Sequence, residues 1–169
     1  MEAAPLMDEP CAANRFLLEH ANLLIESYRH LVRGPLMPPC LSPELAAREL
    51  YQAPFVVLSH DSAADPLFTY ANLAAQRLFE MSWSEMVGMP SRFSAEPLAR
   101  EERQRLLEQV ARQGYIDDYQ GVRVSKSGRR FLVRDATVWN LLDQDGNLRG
   151  QAATFSHWTM LPGSRSDGR

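Results

Sequence analysis

The sequence predicts an α+β fold: one five-stranded antiparallel sheet with helices on one face, plus an N-terminal flanking helix. The prediction depends on the order of the hydrophobic patterns. Two short strand-like segments come first, three helical segments follow, and three longer strand-like segments end the pattern. Strands grouped at both ends of a helical middle are typical of a single antiparallel sheet, since a parallel sheet would alternate strands and helices.

Two helices are predicted before the first strand. In residues 14–33, apolar residues recur every three or four positions, and Asn14 can cap the start while Gly34 and Pro35 end the pattern. At Ser42 a capping hydroxyl is followed by a proline and an acidic residue, which predicts a shorter helix to about residue 51.

The remaining elements are separated by glycine, proline, asparagine and aspartate residues, which favour turns. We predict strands at 55–61, 67–72, 115–125, 130–142 and 148–159, and helices at 72–80, 83–87 and 97–113. These elements divide the chain into a loose N-terminus (1–13), a helical flank (14–52), the sheet-containing core (53–161) and a loose tail (162–169).

The composition excludes several classes of protein. The chain has 169 residues and a net charge of −3, so it lacks the basic excess of a nucleic-acid-binding domain. It has no apolar run of membrane-spanning length, and its acidic start is unlike a secretory signal. With only two cysteines, Cys11 and Cys40, we expect a reduced cytoplasmic protein.

Several motifs resemble the MEKHLA family, which is PAS-like. Tyr70-Ala-Asn72 followed by a Trp-Ser-x-Glu-x-x-Gly segment resembles the start of a PAS domain. Ser59-His60-Asp61, the string PSRFSAEP at 90–97 and GQAA at 150–153 resemble the MEKHLA family more narrowly, over roughly residues 14–161. The resemblance implies a stand-alone sensory or protein-interaction module that is not an enzyme, binds a small ligand and acts on a protein partner in trans.

The strongest candidate for ligand binding is Arg92 with Ser91 and Ser94. A guanidinium fork between two hydroxyls, just before a helix, suits a carboxylate or phosphate. The alternative is structural: Arg92 would pair with Glu85, Glu96 or Asp61, and Ser94 would cap the helix. We interpret Arg100 and Arg103 as salt-bridging residues on the helix surface.

Further candidates for the ligand site are His60, Tyr70, Asn72 and Gln151. His60 cannot form a relay with its neighbours Ser59 and Asp61, since adjacent strand residues point to opposite faces. It could face a pocket or bind turn backbone. Gln151 is polar in an apolar strand, so it could point into a pocket or bond a neighbouring backbone.

No cofactor or metal is expected. The four histidines lack metal-binding spacing. Residues 88–93 resemble the signature of light-oxygen-voltage domains, but Ser91 stands where their photoactive cysteine would be. Two other functions stay open: a small enzyme using His60 and Arg92 with a pocket water, and a structural binding protein without a ligand.

The first helix also predicts self-association. Leu17, Leu24, Tyr28 and Leu31 form one apolar seam along it. That seam could pack on the sheet, on another copy of the chain, or partly on each. We expect a homodimer through this helix.

Overall fold

The computed structural model describes the backbone of residues 6–162 and the side chains of residues 6–96 and 100–162. The helices are α1 (Leu18–Val32), α2 (Pro43–Gln52), α3 (Leu73–Phe79), α4 (Trp83–Met86) and α5 (Pro97–Gln113). The strands are β1 (Val56–His60), β2 (Phe68–Ala71), β3 (Tyr115–Val124), β4 (Arg130–Leu142), β5 (Leu148–Phe155) and β6 (His157–Met160). Between α4 and α5 lies a short 3₁₀ segment, Ser91–Ser94, which we call the serine turn.

The strands form one antiparallel sheet in the order β2-β1-β5-β4-β3, so the predicted α+β fold is confirmed. The predicted strand at 148–159 is divided into β5 and β6, which pair with opposite halves of β4. The division lies at Ser156, opposite a bend in β4 where Asp135 has a φ of 51°. The left-handed residue interrupts the regular ladder, so its partner strand breaks at the same level.

Helices cover both faces of the sheet. On one face, which we call the cavity face, α3 and α5 pack over apolar side chains of the sheet that include Phe131 and Val133, and α3 contributes Phe79 to this cluster. On the opposite face, α1 and α2 bury Leu24, Tyr70 and Trp139. The predicted flanking helix is therefore part of the core, because it covers the face that would otherwise be exposed.

The apolar seam of α1 packs against the chain's own sheet. Leu24 is fully buried, and its carbonyl accepts a hydrogen bond of 3.2 Å from Trp139 Nε1. The ring of Tyr28 meets the ring of Trp139 edge-on at 4.9 Å, and Leu31 lies over Gly114. Leu17 packs against the same cluster. Of the alternatives left open by the sequence, packing on the chain's own sheet is the one present, and Leu24 is not accessible to a second copy. Pairing of two copies through α1 stays a prediction.

The N-terminal end of α1 also differs from the prediction. Asn14 does not cap α1: its Oδ1 accepts from the Cys11 amide and closes a separate short turn. Residues 15–17 then have positive φ angles, so α1 begins only at Leu18.

The described part of the predicted loose N-terminus is bound to the core. Trp83 Nε1 donates to the Met7 carbonyl at 2.9 Å, and the Tyr51 hydroxyl donates to Glu9 Oε1 at 2.7 Å. Residues 1–5 and 163–169 of the predicted loose ends lie outside the described residues. Across residues 6–162, no helix has both the length and the apolar character to cross a membrane.

Candidate functional site: a cavity that contains two arginines

A cavity of about 60 Å³ lies between the cavity face of the sheet, α5 and the serine turn. Its wall is mostly hydrocarbon, from side chains such as Leu58, Phe68, Phe79, Leu106, Val133 and Phe155. The polar groups in the wall come from the serine turn, α5, β3 and the ends of β1 and β5. They are Ser59, whose hydroxyl binds His20 and Thr69, and His60, Ser91, Ser94, Arg103, Tyr119, Arg123 and Gln151.

Arg103 enters the cavity from α5. It precedes Leu106, Leu107 and Val110 by three, four and seven residues, so it occupies a position of the helix's apolar stripe. Arg103 is only 6% exposed. Its Nη1 donates to Ser91 Oγ at 3.1 Å, and its Nε has no hydrogen-bond partner among the described residues.

These contacts correct the prediction that Arg100 and Arg103 are surface salt-bridging residues. Arg100 Nε donates to the Ala95 carbonyl at 3.3 Å, and Arg103 is inside the protein. The sequence does contain the signal for Arg103, since a charged residue at an apolar-stripe position is unusual.

Arg123 enters the same cavity from β3. Tyr119, Gly121 and Arg123 alternate along the strand and share the cavity face. Arg123 Nη2 donates to Tyr119 Oη at 2.9 Å, and its guanidinium carbon is 5.7 Å from the centre of the Tyr119 ring. A Cβ at position 121 would lie 2.4 Å from Tyr119 Oη, so glycine is required for the phenol to lie across the strand.

The backbone fixes Arg123 next to the serine turn. Ala95, which ends that turn, forms an isolated antiparallel bridge with Arg123. The serine turn is therefore tied to α5 through Ser91 and to β3 through Ala95. Any group that enters the cavity at this point would contact all three segments.

No carboxylate lines the cavity in the described part of the chain. The ion pairs found among the described residues include neither Arg103 nor Arg123. Burial and the neighbouring Arg123 charge lower the pKa of Arg103 from 12.5 to about 10, and burial also lowers the pKa of Arg123. Arg103 therefore carries its charge at neutral pH, and an arginine side chain in general stays protonated within a protein.

His60 lines the cavity as a neutral imidazole. Its Nδ1 donates to the Asp61 carbonyl at 2.7 Å, which leaves Nε2 as the acceptor. Burial lowers the pKa of His60, and the charges of Arg103 and Arg123 lower it further. Both alternatives for His60 occur together: its side chain lines the cavity, and its Nδ1 binds the backbone.

Ser91, Ser94 and Gln151 also line the cavity, and each has an internal partner. Their binding of a ligand stays a prediction. Ser94 Oγ donates to the Ser91 carbonyl at 2.7 Å and does not cap α5. Gln151 Nε2 donates to the Leu107 carbonyl at 3.0 Å and to Asn140 Oδ1 at 3.1 Å. The Gln151 amide therefore holds α5 on the sheet.

Arg92 is not in the cavity. It is paired with Asp65, its Nε lying 3.1 Å from Oδ1, and it stacks on the Phe93 ring at 4.3 Å. The pairing is structural, as in the alternative above, but the partner is none of the three carboxylates named from the sequence. His60 and Arg92 therefore do not converge on one open position, which a catalytic pair would require.

Tyr70 and Asn72 also lie away from the cavity. Tyr70 is on the opposite face of the sheet, stacked on His20, and its buried hydroxyl has no partner among the described residues. Asn72 is saturated: Oδ1 accepts from the amides of Val57 and Ala75, and Nδ2 donates to two carbonyls. It holds together β1, α3 and the end of α2.

His20 forms a buried polar chain on this opposite face. Its Nε2 lies 2.9 Å from Ser59 Oγ, which in turn lies 2.8 Å from Thr69 Oγ1. Burial lowers the pKa of His20 to about 4. The imidazole is therefore neutral near pH 7.

Comparison with known proteins supports this architecture. A family model described as MEKHLA domain matches residues 18–160. No curated protein matches the chain. Among solved structures, a PAS domain from Colwellia psychrerythraea is similar with a TM-score of 0.59 and 13% identity, over 70% of this chain and 95% of that one.

Two further solved structures are also similar in fold. An RNA-binding light-oxygen-voltage receptor has a TM-score of 0.57 and 19% identity, over 71% of this chain and 33% of that one. The Ile74Val variant of Vivid has a TM-score of 0.54 and 17% identity, over 79% of this chain and 99% of that one. At these identities the likeness establishes the fold alone.

The residues of the cavity do not fit a flavin of the light-oxygen-voltage type. Ser91 replaces the photoactive cysteine, and its hydroxyl accepts from Arg103. The side-chain amides of Asn140 and Gln151 bind each other and the carbonyls of α5, so they are not free to bind a flavin ring. The cavity volume of about 60 Å³ is also well below the ~300 Å³ at the lower end of common cofactor sites.

Proposed function

Because the chain belongs to the MEKHLA domain family and has a PAS-like fold, we propose that it is a sensory module that binds a small ligand in its cavity and acts on a protein partner in trans. The observation that carries the proposal is the cavity between α5, β3 and the serine turn, in which the buried Arg103 keeps unused hydrogen-bond donors. A buried donor without a partner has a free-energy cost, so a ligand that accepts a hydrogen bond from it stabilises the folded protein.

The signal would pass through the serine turn. Ser91 and Ser94 are buried against the cavity, while Phe93 between them is 49% exposed. A ligand that contacts Ser91 or Arg103 would favour one position of the turn and of α5. Phe93 and the adjoining end of α5 would then present a changed surface to the partner.

A cavity-filling variant tests ligand binding. Ala136 lies in the cavity wall and is 1% exposed, so Ala136→Leu places about three more carbon atoms in the cavity. Native mass spectrometry of freshly purified protein should show a small bound mass in the wild type and none in the folded variant. Ala63→Leu, in an exposed loop, is the control and should retain the ligand.

The alternative of a ligand-free structural protein predicts the opposite result. Wild type would carry no bound mass, and no member of a panel of carboxylates, amino acids, sugars and nucleosides would raise its melting temperature. That combination would refute the sensory proposal.

We also propose that the protein is cytoplasmic and forms a homodimer. The thiols of Cys11 and Cys40 are both free and exposed, as expected in a reducing compartment. With Leu24 buried in the monomer, a dimer through α1 would have to use its polar side, which carries Glu26 and Arg29 as an intrahelical pair. Analytical ultracentrifugation of the wild type tests the homodimer, and a monomer at all concentrations would exclude it.

A further inference from the structure

Two positive charges share the cavity without a negative charge. Arg103 projects from α5 and Arg123 from β3, and the wall between them contains no acidic residue within the described chain. Arg92 holds the Asp65 carboxylate at the surface, outside the wall. Because an unpaired charge in an apolar interior is strongly unfavourable, this arrangement calls for an anion that is not part of the chain.

Free hydrogen-bond donors line the cavity on α5, the serine turn and β3. Arg103 Nε has no partner, and Ser91 Oγ, which accepts from Arg103 Nη1, keeps its own proton to donate. Tyr119 Oη likewise accepts from Arg123 and keeps its proton. Two guanidinium groups and two hydroxyls, from three segments, can therefore surround one anionic group.

The rest of the cavity indicates what the anionic group is attached to. Away from the arginines the wall is hydrocarbon, with Leu58, Phe79 and Val133 among its side chains. A water-sized group needs roughly 10–15 Å³ of such volume, so about 60 Å³ accommodates about four to six non-hydrogen atoms. A tetrahedral phosphate would turn some oxygens toward hydrocarbon. A carboxylate with a short alkyl group instead places its charge at the arginines and its alkyl group on the hydrocarbon wall.

Building on the function proposed above, we propose that the ligand is a short-chain monocarboxylate whose carboxylate is bound by Arg103 and Arg123 and whose alkyl group lies on the apolar wall.

Isothermal titration calorimetry of the full chain with sodium propionate, in a buffer low in chloride, tests the inference. Arg103→Met and Arg123→Met should each weaken binding roughly 10- to 100-fold, the effect of losing a charged hydrogen bond. Arg105→Met, on the exposed side of α5, is the matched control and should bind like the wild type. Each variant's circular dichroism spectrum establishes that it is folded.

Propionamide and inorganic phosphate separate the possible outcomes. Propionamide has the shape of propionate without its charge, and it should not bind measurably. Equal binding of propionamide would overturn the role of charge, and tighter binding of phosphate would overturn the carboxylate class. Failure of propionate, while a neutral molecule is retained by the wild type and lost in Ala136→Leu, would refute only this inference. Failure of every ligand would refute the sensory proposal as well.

Discussion

Replacing Arg103 by Met should stabilise the protein when no anion is present. Methionine is similar in length to arginine, removes the charge and suits a position on the apolar stripe of α5. If Arg103 instead belonged to an internal ion pair, its replacement would destabilise the protein. The sign of the change therefore separates a ligand-binding arginine from an internal ion pair.

The magnitude follows from three contributions. The pKa of Arg103, lowered from 12.5 to about 10, corresponds to about 3 kcal/mol against the charged form, which solvent screening reduces to about 1–2 kcal/mol. Removal of the unpartnered Nε adds about 1 kcal/mol to the gain in stability of Arg103→Met. Loss of the hydrogen bond to Ser91 reduces that gain by about 1.5 kcal/mol. The net expectation is a gain of about 1 kcal/mol, or about 2–4 °C in melting temperature.

Urea and thermal unfolding in buffer without carboxylates measure the change, with Arg105→Met as the control that should stay within about 0.5 kcal/mol of wild type. Adding propionate should then raise the melting temperature of the wild type but not of Arg103→Met. A loss of about 3–5 kcal/mol for Arg103→Met would refute the reasoning, because removing one member of a buried ion pair has that cost.

Three further predictions concern the fold and the site. Gly121→Ala should weaken propionate binding at least tenfold while the protein stays folded, because the new Cβ would lie 2.4 Å from Tyr119 Oη; Gly34→Ala, with no atom within 4 Å, should bind like wild type in the same calorimetric titration. Asn72→Ala should cost about 3–5 kcal/mol in urea unfolding, since four backbone groups lose their partner, and a cost below 1 kcal/mol would contradict this. Because the pKa of His20 is about 4 when folded and about 6.5 when unfolded, the unfolded state binds the proton first as the pH falls. Between pH 7 and pH 5, wild type should therefore lose about 1–2 kcal/mol more than His20→Gln in urea titrations at each pH, and equal losses would show that His20 is not buried as described.

The secondary structure could be predicted because its signals are local. The apolar stripe of α1, the proline and glycine that bound α5, and the turn residues of the last two hairpins depend only on neighbouring residues. The order of these elements was enough to predict the antiparallel sheet. The division between β5 and β6 was missed because it depends on a bend in the partner strand, β4, and not on the residues around Ser156.

Only half of the candidate site could be predicted. Ser91, Ser94 and His60 belong to motifs at the ends of elements, Gln151 is a polar residue within an apolar strand, and all four line the cavity. Arg92 comes from the same motif but is at the surface, because the side chains of a single 3₁₀ turn point in all directions and only packing selects which are inside.

What the sequence by itself determined is the fold class, the family resemblance and the chain positions of the serine turn and α5. Only the tertiary structure decided which charges share the cavity. Arg103 and Arg123 are 20 residues apart on a helix and a strand. The position of Arg103 on the apolar stripe indicates its burial, but nothing in the sequence pairs it with Arg123. They become neighbours because α5 packs its apolar stripe on the cavity face, where β3 turns Arg123 inward. The juxtaposition of the two charges is a property of that packing, so no local pattern contains it.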